Sequence, residues 1–167
     1  MEINPEGEKD VTSSEDQIAK EIDVLLTSQG LAVLSTQRNG QPYSSLMAYA
    51  HADEIQTVLV ATGKSTRKNA NLVEEARVSL LVDNRSNSTE DFHAALALTI
   101  LGRANPVEER KKQYYENIYL ERHPYLEKFL ESPSTILYRI EVYHYLLVKR
   151  FQNVMEYHLR DEMDMFT

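Results

Sequence analysis

The pair Asn39-Gly40 stands between two strand-forming runs, LAVLSTQ (31–37) and PYSSLMAYAHA (42–52). An Asn-Gly pair accepts positive φ at both positions, as a tight hairpin turn requires, so the two runs pair antiparallel. Asp53 and Glu54 mark another turn, and QTVLVAT (56–62) reads as a third strand. RVSLLVDN (77–84), HAALALTILGRA (93–104) and TILYRIEVYHYLLV (135–148) are three more long strands, and the C-terminal segment adds a short one. Mostly short connections favour a single antiparallel sheet.

The long runs are apolar on both faces. In HAALALTILG, Ala95, Ala97 and Leu101 point one way, and Leu96, Leu98 and Ile100 the other. Such a strand needs cover on both sides. A barrel interior covers one. The other is covered by helices of this chain or by a second copy, and we expect a homodimer.

Helices occupy the rest. Ser14 with Gln17 fits a capping box, Ile18, Ile22, Leu25 and Leu26 then recur on one face, and Gly30 stops the helix. Ser65 can cap a short helix reaching about Glu75, with Leu72 and Val73 inward. RSNSTED (85–91) is a polar loop, and residues 106–130 predict two helices broken at His123-Pro124. The expected class is mainly β with helices (α+β). Residues 1–12 form a flexible tail, residues 13–160 a single domain, and residues 161–167 a C-terminal tail.

Composition narrows the function. A net charge of −8 argues against a nucleic-acid partner, because phosphate contacts need a basic face. The absence of cysteine excludes disulfides, thiolate metal sites and thiol nucleophiles. No apolar run approaches the ~20 residues of a membrane span, and the acidic start MEINPEGEKD is no secretory signal. We therefore expect a cytoplasmic chain with no membrane partner. There is no GxGxxG, no P-loop and no GxSxG. His51, His93, His123, His144 and His158 show no local zinc spacing, so no metal site is expected, and no residue stands out as catalytic.

The most informative segment is ATGKSTRKNANL (61–72). It follows a strand and opens a helix, where free N–H groups and the positive end of the dipole favour an anion. Ser65 and Thr66 add hydroxyls, and Arg67 and Lys68 add charge. Two cations in a first helical turn oppose the dipole. The segment is either a phosphate site or a solvated helix start. In QPYSSLMAYA, Ser44 and Ser45 interrupt a strand fit for burial, so they bond backbone or hold a ligand. In DNRSNSTED, Asn84 and Arg85 end a buried strand, as a plain loop or as polar groups for a ring edge.

The order of these parts resembles the FMN-binding split barrel of the pyridoxamine 5'-phosphate oxidase-like superfamily. The resemblance rests on GLAVLSTQRNGQPYSSLMAYAHADE, the VLVAT strand, KSTRKNANLVEEARVSLLVDN and ALALTILGRANPV, and covers about residues 31–148. It implies a six-stranded antiparallel split β-barrel that dimerises, with two FMN sites at the subunit interface. Carried over by position, Arg67 and Lys68 hold the FMN phosphate, with Ser65 and Thr66 beside them. Ser44, Ser45, Leu46 and Met47 run along the flavin, Ala61 and Thr62 lie beneath it, and Asn84 and Arg85 approach the isoalloxazine.

There are departures. True pyridoxamine phosphate oxidases carry an arginine where this chain has Ser45, and an arginine-rich C-terminal motif where it reads FQNVMEYHLRDEMDMFT. Vitamin B6 oxidation is therefore not expected. The resemblance implies instead an FMN-dependent oxidoreductase acting on an unassigned small molecule. Relatives that use F420 or degrade haem make those cofactors the alternatives, and a haem would need an axial ligand such as His158 or His144. A non-enzymatic, regulatory barrel is the third reading.

Overall fold

The computed structural model describes residues 7–150 and 152–161, with side chains from residue 14. Helix α1 (Gly7–Ser28) precedes β1 (Leu31–Arg38), β2 (Gln41–Ala52) and β3 (Thr57–Gly63). Next come α2 (Arg67–Glu74), β4 (Arg77–Asp83), α3 (Asp91–Ala94) and β5 (Leu96–Pro106). The chain continues through α4 (Lys112–Arg122), α5 (Glu127–Glu131), β6 (Thr135–Lys149) and β7 (Asn153–His158).

Every strand pairing is antiparallel, in the order β3-β2-β1-β4-β5-β6-β7. β3 also pairs with β6, from Thr57↔Glu141 to Gly63↔Thr135. That pairing closes six strands into the expected split barrel and leaves β7 attached to the far half of β6. Asn39 (φ 51°) and Gly40 (φ 78°) make the predicted hairpin turn.

Leu34, Tyr49, Leu80, Leu98, Ile100 and Ile140 fill the barrel, and Ile22, Leu25 and Leu26 of α1 pack into the same core. A second cluster lies on the outer side of β2 and β3. There Ala50, Ala52, Leu59 and Ala61 meet Tyr115 and Tyr119 of α4 and Leu130 of α5. Arg122 ties the two layers. Its guanidinium donates to the carbonyls of Leu26, Thr27 and Gln29 at the end of α1 and lies 4.9 Å over the Tyr49 ring. No basic residue of α1 itself serves that terminus, so α4 supplies the cation that the C-terminal carbonyls favour.

The β2–β3 turn is strained. Ile55 is β-branched yet has φ 66°, a conformation costing of order 1–3 kcal/mol. Its buried side chain and the 2.6 Å hydrogen bond from the Tyr145 hydroxyl to its carbonyl hold it there. Burial pushes the Tyr145 phenol well above its ordinary range, so it remains a donor. Asp53, in the same turn, accepts from the hydroxyls of Tyr114 (3.1 Å) and Tyr115 (2.8 Å).

Four local expectations are corrected. α1 begins at Gly7, not at a Ser14 cap; residues 1–6 and 162–167 of the expected tails lie outside the described residues. α2 is capped by Thr66 rather than Ser65: Thr66 is extended (φ −82°, ψ 155°) and its hydroxyl accepts from the Asn69 N–H. On that helix Asn71 and Leu72 face inward while Val73 is 74% exposed. Residues 91–94 are helical, so β5 starts at Leu96 rather than His93. The Asp91 carboxylate accepts from the N–H groups of Ser86, Asn87 and Ser88 and folds the loop back into that turn.

Candidate functional site

A cavity of about 370 Å³ opens between the outer face of β2–β3 and the α4–α5 segment. Alternation along the strands builds its floor. Leu46 and Ala48 of β2 and Ala61 and Gly63 of β3 line it, with Met47 and Thr62 beside them. Ala48, Ala61 and Gly63 have little or no side chain, so the floor is flat. Tyr119, Leu126 and Phe129 form the facing wall. Leu46 is 67% and Phe129 40% exposed, an apolar surface open to solvent.

Thr66 and Lys68 close one end of the cavity. The corner that carries them is tightly bonded. The Thr66 hydroxyl donates to the Gly63 carbonyl (2.9 Å), accepts from the Asn69 N–H (3.2 Å) and lies 3.0 Å from the Thr62 hydroxyl. The Asn69 amide donates to the Lys64 carbonyl (2.8 Å) and accepts from the Tyr138 hydroxyl (2.7 Å). The first turn of α2 holds no acidic residue. Its dipole and Lys68 therefore act together on the cavity end, a combination that suits an anion.

The other predicted residues fall outside this cavity within one chain. Arg67 lies 5.4 Å over the Tyr43 ring and lines a neighbouring groove of about 480 Å³ with Arg38 and Asn71. Ser65 is exposed. The exposed Ser44 has its hydroxyl 3.5 Å from that of Ser35. The Ser45 hydroxyl is buried and finds no hydrogen-bond partner among the described residues. Asn84 accepts from the Leu96 N–H (2.7 Å) and so fixes the start of β5, while the exposed Arg85 pairs with Asp83 at 3.0 Å. Leu46, Met47, Ala61, Thr62, Thr66 and Lys68 are thus the predicted residues that come together.

Sequence reasoning missed the wall. Tyr119, Leu126 and Phe129 come from helices more than forty residues beyond the floor, and no local motif marks them. Burial raises the Tyr119 phenol to about 12. It stays protonated at neutral pH and offers a ring face and a hydroxyl, not a base.

A flat apolar floor with a cationic helix start at one end fits a planar ligand that carries an anionic tail. The chain belongs to the pyridoxamine 5'-phosphate oxidase family, whose model matches residues 18–148. No curated protein matches it. Among solved structures it is similar to a haem-binding protein from Mycobacterium smegmatis (TM-score 0.76, 16% identity), covering 84% of this chain and 57% of that one. The chain thus spans little more than half of that protein. It is also similar to General Stress Protein 26 from Bacillus anthracis (TM-score 0.65, 21% identity, covering 85% and 98%). A third similar structure is a FAD-binding protein from Mesorhizobium loti (TM-score 0.63, 18% identity, covering 77% and 90%). At these identities the structures share the fold. No helix among the described residues is long and apolar enough to cross a membrane.

Proposed function

We propose that this chain binds FMN as a homodimer and acts as a flavin-dependent oxidoreductase on a small molecule. The observation that carries the proposal is the cavity that sets Lys68 and the first turn of α2 at one end of an apolar floor. FMN has the matching form, a dianionic phosphate and a planar ring. Lys68 and the α2 N–H groups hold the phosphate, and Arg67 reaches it by leaving Tyr43. Ser65 and Thr66 flank that anchor. Leu46, Met47, Ala61 and Thr62 support the ring and exclude water from it, and the neighbouring β2 residues Ser44 and Ser45 extend that edge. Asn84 and Arg85 meet the ring from the second copy or after rearrangement. When bound, the flavin supplies the hydride or electron transfer, and the protein supplies anchoring and orientation. Pyridoxamine phosphate oxidation is not proposed, because Ser45 stands where that chemistry has an arginine.

The dimer is supported by the barrel exterior. Val33, Leu81, Thr99 and Leu146 are cross-strand neighbours on one outward face and are only half-buried in a single chain. A second copy would finish their burial. Fluorescence titration with FMN should saturate at one flavin per chain, and light scattering should give twice the chain mass. A strict monomer at micromolar concentration that leaves flavin emission unchanged would remove this reading.

Haem is the second reading. The similar Mycobacterium smegmatis structure is of a haem-binding protein, and this chain stacks His144 and His158 with ring centroids 3.8 Å apart. His144 or His158 would hold the haem iron.

A further inference from the structure

β6 and β7 form a hairpin whose register sets His144 directly opposite His158. Residues two apart on a strand share a face, so Glu156 sits on that face beside His158. The three side chains converge. Glu156 Oε2 lies 3.1 Å from His158 Nε2 and 3.6 Å from His144 Nε2. One ligand atom from each of the three groups lies within 4.8 Å of the others.

These separations have a chemical meaning. In a tetrahedral zinc site with bonds of about 2.0–2.1 Å, neighbouring ligand atoms are about 3.4 Å apart. The two separations to the carboxylate already bracket that edge, and a cation fits once the stacked imidazole rings, centroids 3.8 Å apart, swing apart so that both ring nitrogens face it. Burial is graded across the cluster. The His144 side chain is 5% exposed, which fixes one ligand in the sheet, while Glu156 (52%) and His158 (47%) meet water.

We propose that His144, Glu156 and His158 form a binding site for a zinc-class divalent cation, with the fourth coordination position open to solvent. Two imidazoles and one carboxylate select zinc and its neighbours over magnesium or calcium, which prefer all-oxygen sites. Three protein ligands with one open position is the geometry of a metal that can carry water or a further ligand. The bound cation would also clamp β7, otherwise an exposed edge strand, onto β6.

The test uses the full chain, stripped with chelator and titrated with zinc chloride by calorimetry. Wild type should bind one zinc per chain. His158→Ala should weaken binding by about 100-fold or more, since losing an outer partner alone costs about 10–100-fold. Glu156→Gln should weaken it by about tenfold or more, and both exposed positions should leave the circular dichroism unchanged. Cobalt(II) in place of zinc should give the visible d–d bands of a four-coordinate site. Equal zinc binding by wild type and His158→Ala, or none by wild type, would overturn the proposal. Retention of FMN binding by His158→Ala would separate this site from the cavity.

Discussion

Replacing Gly102 with alanine should destabilise the fold by about 3 kcal/mol or more, at or beyond the upper end for overpacked sites. Gly102 sits on β5 where the register with β6 shifts, between Leu101↔His144 and Gly102↔Val142. A Cβ at Gly102 would stand 2.4 Å from the Glu141 carbonyl oxygen and 2.9 Å from Ile140 Cγ2. The first obstacle is backbone, so no rotamer change relieves it. β5 and β6 would have to part at the centre of the barrel, next to Ile140 and Val142 of the core. For a chain of this size the melting temperature should fall by roughly 6–12 °C, or the variant should be recovered insoluble. Gly30→Ala is the control, because nothing lies within 4 Å of its Cβ. A Gly102→Ala protein that melts with wild type would mean that β5 and β6 do not approach this closely.

The second large effect is on cofactor affinity. Removing both cations with Arg67→Ala and Lys68→Ala should weaken FMN binding by about 100-fold or more. Each charge-assisted hydrogen bond to a phosphate is worth about 1.5–3 kcal/mol, and about 1.4 kcal/mol is tenfold. The single variants should rank in order. Lys68 already lines the cavity, whereas Arg67 lies over Tyr43, so Lys68→Ala should cost more than Arg67→Ala. Neither side chain supports the barrel core, so the melting temperature without flavin should hold. Measured by fluorescence titration, an unchanged affinity in the double variant would show that the phosphate is held elsewhere.

Much of this fold is visible in the sequence, because the signals are local. Asn39-Gly40 fixes the first hairpin, and its positive φ values are those the pair is suited to. His123-Pro124 separates α4 from α5, as the restriction before proline requires. The strand–KSTRKNANL–helix corner is legible as a strand end that opens a helix because its two halves are adjacent in sequence. Where the reading failed, a contact outside the motif itself decided. Thr66 wins the cap because Thr62 and Gly63 hold its hydroxyl at the end of β3. The cavity wall comes from Tyr119, Leu126 and Phe129, which reach β2 and β3 only once α4 packs on the barrel. His144, Glu156 and His158 meet through hairpin register, a relation no local histidine spacing reveals.

The most direct test of the cofactor proposal is the visible absorption spectrum of the purified protein, with mass spectrometry of whatever heat releases. The account predicts the two-banded spectrum of an oxidised flavin and FMN in the supernatant. A sharp Soret band, or a colourless protein that takes up no added FMN, would contradict it.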